Sequence, residues 1–205
     1  MPTHIAIGDI HGMLNLLDAL LARLPQEGHL VFLGDYLDRG PNSCGVINRL
    51  IRLARQRPCT FLRGNHEEMA LAVLNGARRM KSAWIESGGD ATLRSYRWRR
   101  IGRKHRLFLR ETCYFYETEN FLFVHASIPP GLTPAQCVEI DPGQLLWPRF
   151  EETDYHWGKL VIHGHTRVAQ PVEAPNRINI DTGAGHGGPL TALLLPEREY
   201  VSVAP

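Results

Sequence analysis

Side chains that can bind metal ions recur along the chain, each placed just after a short apolar run. The densest group is Asp35, Asp38 and Arg39, directly behind the apolar run 30–33. Similar groups follow four other apolar runs, and the full set is Asp9 with His11, Asp35 with Asp38, Asn65 with His66, His125, and His165. Glycine lies next to four of these five groups, and it permits the close backbone approach that a crowded site needs. One Asp or His after a strand is usually a turn former or a cap, whereas five such positions predict one shared site.

The ligand types in this set favour a catalytic metal centre. Carboxylates, imidazoles and one amide are present without a thiolate, which disfavours a structural zinc site and suits Mn, Fe, Zn or Mg with open positions. Asp35 is central in the set, and its two oxygens make it the expected bridge between two cations. Two ions about 3.5–4 Å apart would activate water and hold both oxygens of an in-line displacement. The residues therefore predict a two-metal phosphoester hydrolase.

The apolar runs are predicted strands whose ends an α/β fold would bring together. Runs at 4–7, 30–33 and 59–62 have the length and composition of short strands. Helical periodicity between them, over 13–24 and about 44–55, gives a βαβαβ order that favours a largely parallel sheet. Open α/β sheets bind ligands beyond the carboxyl ends of their strands, where the candidate ligands lie.

The remainder of the chain is predicted to complete one domain over residues 1–205. A mostly helical insert is expected at about 67–110, and a hairpin over 113–116 and 121–124. The segment 129–157, with five prolines and little periodicity, is expected to be rich in loops. Further strands are predicted at 160–162, 178–180, 190–195 and 200–203.

Composition restricts the class of protein. The 205 residues are 43% apolar and 21% charged, as in soluble globular proteins, and the net charge of +2 is too small to indicate nucleic-acid binding by itself. The chain enters a strand-like run at once and has no stretch near the ~20 apolar residues of a membrane span. Four widely spaced cysteines, Cys44, Cys59, Cys113 and Cys137, suggest no disulfide framework. We therefore expect a cytoplasmic protein with reduced thiols.

Five motifs occur in an order that resembles a known family. They are Gly8-Asp9-Ile10-His11-Gly12, Gly34-Asp35-Tyr36-Leu37-Asp38-Arg39-Gly40, Gly64-Asn65-His66-Glu67, His125-Ala126-Ser127 and Gly164-His165-Thr166. Over nearly the whole chain they resemble the calcineurin-like metallophosphatases, and the DxxDRG and GNHE forms resemble the phosphoprotein phosphatase branch with its small bacterial and phage serine/threonine phosphatases. The resemblance implies a four-layer α/β/β/α sandwich of two mixed sheets, with the active site at the carboxyl ends of the central strands.

The resemblance also implies a ligand set for two divalent transition-metal ions. Manganese is the ion expected in vitro, with Fe, Zn or Mg as alternatives. The first metal would be bound by Asp9, His11 and Asp35, and the second by Asp35, Asn65, His125 and His165.

Catalytic and substrate-binding roles follow from the same resemblance. His66 would be the general acid that protonates the leaving alkoxide, and Asp38 would orient it and favour its charged form. Arg39 would bind phosphate oxygens bidentately, and Asn65 and His66 would also contact the substrate. A second phosphate-binding arginine follows a Leu-Trp pair in this branch. Arg149 fits that place, and its alternative is an ordinary surface arginine.

Three features leave alternatives open. His163 lies two residues before His165, so strand alternation points it to the opposite face and favours a structural role over metal ligation. Asp181 either orients a ligand histidine or forms a turn. The basic tract 94–106 has the character of a solvated face, although it could steer phosphorylated substrates electrostatically.

The expected activity is phosphoester hydrolysis by metal-bound hydroxide in direct in-line attack, on phosphoserine and phosphothreonine in proteins. The alternative is hydrolysis of dinucleoside tetraphosphates or other nucleotides, because the motifs describe the reacting phosphate and not the group attached to it. A non-catalytic phosphate-binding module is the more remote alternative, since the ligand and acid set is complete. The expected partner is a phosphorylated protein or another phosphate ester, with no membrane or nucleic-acid partner, and the sequence leaves the oligomeric state open.

Overall fold

Two five-stranded sheets form the centre of the computed structural model, which describes residues 3–151 and 153–205. Met1 and Pro2, the predicted entry to the first strand, and Glu152 lie outside the described residues. In spatial order the first sheet is β10 (Glu199–Val203), β9 (Leu190–Leu195), β1 (His4–Ile7), β2 (His29–Phe32) and β3 (Cys59–Phe61). The second is β4 (Phe115–Glu117), β5 (Phe121–Val124), β6 (Leu160–His163), β8 (Arg177–Asn179) and β7 (Val172–Ala174).

Both sheets are mixed. In the first, β1, β2 and β3 are parallel, as the βαβαβ order predicts, while β9 and β10 are antiparallel to their neighbours. In the second, β5, β6 and β8 are parallel and the edge strands β4 and β7 are antiparallel. The carboxyl ends of the five parallel strands that carry the candidate ligands therefore lie at one edge of the two sheets.

The helices occupy the stretches between these strands. Their bounds are α1 (Leu14–Leu21), α2 (Ser43–Leu53), α3 (Asn65–Leu74), α4 (Lys81–Trp84), α5 (Asp90–Ser95), α6 (Arg103–Glu111) and α7 (Pro134–Ile140). Asn42 caps α2 as its residue type suggests, since its Oδ1 accepts a hydrogen bond from the Gly45 N–H at 2.9 Å. Within the described ranges, none of these helices is long and apolar enough to cross a bilayer.

Alternation of side chains along the strands produces four layers. Between the sheets, Ala6 of β1 shares a buried cluster with Phe123 of β5. On the other face of the first sheet, Ile5 belongs to a cluster that includes residues of α1, α2 and α3. On the other face of the second sheet, Leu122 packs in a cluster with Cys137 of α7. The expected α/β/β/α sandwich of two mixed sheets is confirmed.

Two elements were not predicted. The segment 129–157, expected to be rich in loops, also contains α7, and no strand was predicted at β7. The start of α7 carries a capping box in which the Gln136 N–H donates to Thr133 Oγ1 at 3.3 Å and the Thr133 N–H donates to Gln136 Oε1 at 2.8 Å. Pro134 at the first helical position is a further start signal, so this helix was readable despite the many prolines.

Candidate metal centre

Side chains from the five strand ends meet around Asp35, which follows β2. Its Oδ2 lies 3.3 Å from His11 Nε2, and its Oδ1 lies 3.5 Å from His125 Nε2. Asn65 Oδ1 is 3.0 Å from His125 Nε2 and 3.2 Å from His165 Nδ1. His165 is half-buried, and the other four residues are buried. The structure thus brings these five predicted ligands to one place.

Two groups of potential ligands share Asp35. One contains His11 and His66, the other contains His125 and His165, and in each group the ligand atoms lie within 4.8 Å of one another. A carboxylate common to both groups is what a bridging ligand requires. In the first group, His66 occupies the position that the sequence led us to expect for Asp9.

Asp9 approaches the same centre from the side of β6. Its Oδ2 accepts a hydrogen bond from the His165 N–H at 3.1 Å, and a Cβ at Gly164 would lie 2.1 Å from its Oδ1. Burial, and then the charges of Asp181 and Asp35, raise the pKa of Asp9 well above its ordinary value. A divalent cation among these buried carboxylates would relieve their mutual repulsion.

Backbone carbonyls orient three of the imidazoles. A carbonyl oxygen only accepts hydrogen bonds, so the ring nitrogen facing it carries the proton and donates. The opposite nitrogen then presents a lone pair to the centre, which is the form that binds a metal ion. The three pairs are His11 Nδ1 with the Leu37 carbonyl at 2.8 Å, His125 Nδ1 with the Leu33 carbonyl at 2.8 Å, and His165 Nε2 with the Trp147 carbonyl at 3.0 Å.

The electrostatics of the centre fit a pair of divalent metal ions. Burial lowers the pKa of His125, and it lowers the pKa of His165 to about 4, so both rings are neutral. His125 Nε2 turns its lone pair toward an Asp35 carboxylate oxygen 3.5 Å away. Two acceptors that face each other in a buried site call for a cation between them, and a metal ion would satisfy both. Carboxylate, imidazole and amide donors are ligands that Mn, Fe, Zn and Mg accept.

The turns that aim these side chains adopt unusual backbone conformations. A non-glycine residue in the left-handed region costs about 1–2 kcal/mol, so the surrounding structure must hold it there. The left-handed residues of the site are His11 (φ 46°), Asp35 (φ 52°), Asp38 (φ 72°), Arg39 (φ 64°) and His165 (φ 64°).

Glu67 provides much of that support, although the sequence assigned it no role. Its buried carboxylate accepts hydrogen bonds from the N–H groups of Asp35 at 2.8 Å, Tyr36 at 2.9 Å, Leu37 at 3.2 Å and Gly64 at 3.0 Å. One side chain thereby joins the loop after β2 to the start of α3. The signal was its place three residues after the helix cap at Gly64, the spacing of a capping box.

His66 is held by a buried network around Asp38. His66 Nδ1 lies 2.7 Å from Asp38 Oδ2, which also accepts from Trp84 Nε1 at 2.9 Å, while Asp38 Oδ1 accepts from Thr92 Oγ1 at 2.6 Å. Burial alone would lower the pKa of His66, but Asp35 and Asp38 raise it above its ordinary value. Sequence reasoning paired Asp38 with His66. It assigned no role to Trp84 or Thr92, because the sequence around them predicts a helix and no contact with Asp38.

Arg39 extends from this loop to the exposed side of the centre. Its Nη1 lies 2.5 Å from His11 Nε2 and its Nη2 lies 3.1 Å from His66 Nε2, so the guanidinium donates to both rings. The residue as a whole is exposed, whereas both imidazoles are buried. A planar cation at the mouth of a metal centre is suited to contact the oxygens of a phosphate group.

Comparison with known proteins decides the family. A model of the family described as calcineurin-like phosphoesterase matches residues 3–169. The chain is a calcineurin-like phosphoesterase. It is therefore a metal-dependent phosphoester hydrolase of a dinuclear family, in agreement with the shared carboxylate of Asp35.

Relatives of this phosphoesterase differ in the substrates that their names give. The bis(5'-nucleosyl)-tetraphosphatase PrpE (asymmetrical) of Oceanobacillus iheyensis is 29% identical, over 97% of this chain and 90% of its own length. Serine/threonine-protein phosphatase 1 of Salmonella typhimurium is 31% identical, over 90% of this chain and 88% of its own. A crystal structure provisionally described as that of a diadenosine tetraphosphatase superposes with a TM-score of 0.71 at 22% identity, over 98% of this chain and 92% of its own, which shows the shared fold.

Arg149 of the phosphoesterase lies outside both ligand groups. It is exposed, and it lines a cavity together with Ser127, two residues beyond His125. Part of the cavity lining is therefore close in sequence to the metal-ligand candidate His125. A substrate-binding role for Arg149 stays a prediction.

His163 and Asp181 have structural contacts. His163 is in neither ligand group, its Nδ1 lies 3.1 Å from the Gly164 carbonyl, and its ring centroid is 4.5 Å from that of Phe150. Asp181 Oδ1 accepts from the Gly183 N–H at 3.0 Å, as a turn-forming aspartate does. These contacts support the structural interpretation of His163 and the turn-forming interpretation of Asp181.

The basic tract 94–106 is divided between two helices. The helix α5 ends at Ser95 and α6 begins at Arg103, and Arg97 and Trp98 between them have φ angles of 53° and 57°. The consecutive residues 97–100 are exposed, which fits a solvated surface.

Proposed function

We propose that this phosphoesterase hydrolyses dinucleoside tetraphosphates. The observation that carries the proposal is the match to the Oceanobacillus tetraphosphatase, which extends over 97% of this chain and 90% of that enzyme. The sequence motifs alone led us to expect phosphoproteins as substrates. The comparison favours the nucleotide alternative, and it does so without any change in the residues assigned to the reacting phosphate.

The metal centre is proposed to hold two divalent ions, with manganese as the ion to use in vitro. Bound there, the ions supply an activated water and neutralise charge on the phosphoryl oxygens. The proposed ligands are Asp9, His11 and Asp35 on one side, and Asp35, Asn65, His125 and His165 on the other.

Arg39 and His66 are proposed to act on the phosphate chain itself. The Arg39 guanidinium, which lies 2.5 Å from His11 Nε2 and 3.1 Å from His66 Nε2, forms stronger charge-assisted hydrogen bonds with phosphate oxygens when substrate is present. Its departure frees His66 Nε2 to carry a proton toward the leaving oxygen, while Asp38 holds the opposite nitrogen at 2.7 Å. In a polyphosphate the leaving oxygen departs as a stable anion, so this proton matters less than it does for an alkoxide.

A phosphoserine or phosphothreonine substrate is the second candidate. It is favoured by the 31% identity to the Salmonella serine/threonine phosphatase over 90% of this chain. The same centre and the same acid would serve it, and cleavage of an alkyl ester would depend more strongly on His66.

Parallel assays of the manganese-reconstituted protein test the proposal. Diadenosine tetraphosphate and a phosphoserine peptide are compared by kcat/KM, and the nucleotide products are separated by chromatography. We expect preference for the dinucleotide, with AMP and ATP as products. Asp35→Asn, prepared in the same way, controls for contaminating phosphatases. Efficient cleavage of the phosphopeptide without cleavage of the dinucleotide would overturn the proposal in favour of the second candidate.

A further inference from the structure

A cavity of about 340 Å³ is lined by residues that lie close in sequence to parts of the metal centre. It is lined by residues 127–130, 148–151, 153 and 157. Each of the two chain segments that line it is linked to a metal-ligand candidate. Ser127 follows His125 by two residues, and Pro148 follows Trp147, whose carbonyl contacts His165 Nε2 at 3.0 Å. A phosphate held at the centre therefore lies close to the cavity.

Two aromatic rings and several other apolar side chains line the cavity. Phe150 and Trp157 line it with ring centroids 5.6 Å apart and planes inclined at 73°. Trp157 Nε1 donates to the Pro129 carbonyl at 3.3 Å, which fixes the orientation of the indole. Ile128 and the prolines at 129, 130 and 148 complete the apolar surface. Such a surface suits a planar, uncharged group.

Polar groups occupy defined places in the same lining. Arg149 supplies an exposed cation, and Glu151 supplies an exposed carboxylate. A guanidinium binds phosphate oxygens, whereas a carboxylate accepts hydrogen bonds from hydroxyl or amino groups. The aromatic faces match a base, the Arg149 cation matches a phosphate, and the Glu151 carboxylate matches the hydroxyl groups of a ribose.

We propose that this cavity binds one nucleoside of the substrate, with the base against Trp157 and Phe150 and the phosphate chain passing Arg149 toward the metal centre. The volume lies in the range of about 300–1,000 Å³ that small-molecule sites occupy. Aromatic side chains bind bases through stacking, which every base permits. The proposal rests on the proposed nucleotide activity, because it assigns part of that substrate to a place on the protein.

A larger cavity of about 460 Å³ between α2, α6 and β3 does not compete for this role. Its lining comes from residues 51–61 and 104–113 and includes none of the metal-ligand candidates, Arg39 or His66. The lining therefore provides no contact between the phosphates of a nucleotide bound there and the metal-ligand candidates.

The test compares two phosphate monoesters that differ only by the base. Dissociation constants of AMP and ribose 5-phosphate are measured by titration calorimetry on the manganese-reconstituted protein. We expect AMP to bind about 5- to 100-fold more tightly, the range that stacking of one base on an aromatic ring provides. Equal affinities in the wild-type protein would overturn the proposal, and no variant is needed to reach that result.

Three variants locate the effect. Trp157→Leu should reduce the AMP preference to within about twofold of ribose 5-phosphate, while Trp157→Phe, which keeps an aromatic face, should retain most of it. Trp98→Leu replaces an exposed tryptophan of the basic tract 94–106 that does not line the cavity, and it should leave the preference unchanged. A full AMP preference in Trp157→Leu would contradict the assignment to this cavity. These measurements need no hydrolysis of diadenosine tetraphosphate, so failure of the subsite and failure of the proposed function are observed separately.

Discussion

The carboxylate of Asp38 lies 2.7 Å from Nδ1 of His66 and does not belong to either ligand group of the metal centre. Trp84 and Thr92 donate to the same carboxylate, so its position is determined by the helical segment that follows α3. In the proposed mechanism this loop therefore has two functions, because Asp35 would bind the metal ions while Asp38, three residues later, would position the acid His66.

Replacement of His66 tests this division. His66→Asn should reduce kcat by about 10²–10⁴ on an alkyl phosphate, since that is the usual contribution of a general acid. The loss should be smaller on diadenosine tetraphosphate, whose leaving group needs less protonation. Steady-state kinetics on both substrates, with metal content measured in parallel, provide the check. Turnover on the alkyl phosphate equal to that of the wild-type protein would exclude the acid role.

Asp35 should control the whole metal content. Because both ligand groups share it, Asp35→Ala should lose both ions, whereas His125→Ala should impair only one group. The wild-type protein should hold about two ions after manganese reconstitution, as a two-metal site requires. Elemental analysis gives the stoichiometry. Chelation should also lower Tm, because a ligand at 100 times its Kd stabilises the native state by about 2.7 kcal/mol. Retention of two ions by Asp35→Ala would contradict the bridging assignment.

Two helix-capping glycines make a matched pair. Gly64→Ala places a Cβ 2.1 Å from Asp35 Oδ1, whereas a Cβ at Gly102 meets nothing within 4 Å. Both residues have negative φ angles, −94° and −63°, so the difference lies in space and not in backbone strain. Gly64→Ala should lose metal affinity and activity, and Gly102→Ala should keep both. Similar metal affinity in the two variants would show that Asp35 tolerates displacement.

Glu67 and Glu68 provide a second comparison between neighbours. Glu67→Gln should lower the free energy of unfolding by about 1–3 kcal/mol, the cost of leaving a buried N–H group without an acceptor, because an amide cannot accept on both sides. Glu68 forms a partly exposed ion pair with Arg63 at 3.2 Å, so Glu68→Gln should change stability by less than about 1 kcal/mol. Denaturant unfolding of the two variants measures the difference, and equal effects would disprove a special role for Glu67.

Thiol chemistry gives a prediction with a defined pH dependence. All four cysteines are free, and burial raises the pKa of Cys59 to about 11. The reactive thiolate of Cys59 is therefore scarce at pH 8, and its alkylation by iodoacetamide should accelerate as the pH rises toward 11. Peptide mapping after timed alkylation measures this rate, and dithiothreitol should leave Tm unchanged. Rapid modification of Cys59 at pH 7 would show that its environment is more polar than the structure indicates.

The sequence was sufficient for the parts of the molecule governed by local periodicity. The runs that became β1, β2 and β6 are nearly continuous in apolar residues, and each ends at a polar ligand candidate. The helix α7 escaped notice because it is only seven residues long and lies in a segment with many prolines. The strand β7 is three residues long, with Val172 and Glu173 exposed, and so carries no burial pattern to detect.

Site contacts that span the chain were harder to predict. Trp84 and Thr92 meet Asp38 across sequence separations of 46 and 54 residues, and no local pattern encodes such a meeting. The grouping of His66 with His11 and Asp35 likewise depends on how sharply the loops bend, which the left-handed φ angles determine.

The hydrogen bond between His165 Nε2 and the Trp147 carbonyl has a consequence for engineering. The segment 129–157 borders the cavity that we assign to the substrate, so exchange of this segment is the obvious route to new specificity. Yet the main chain of this segment, through the Trp147 carbonyl, fixes the tautomer of the metal-ligand candidate His165. A transplanted loop must therefore return a carbonyl oxygen to this one point, whatever side chains it carries, or the new enzyme will gain a pocket at the expense of its metal site.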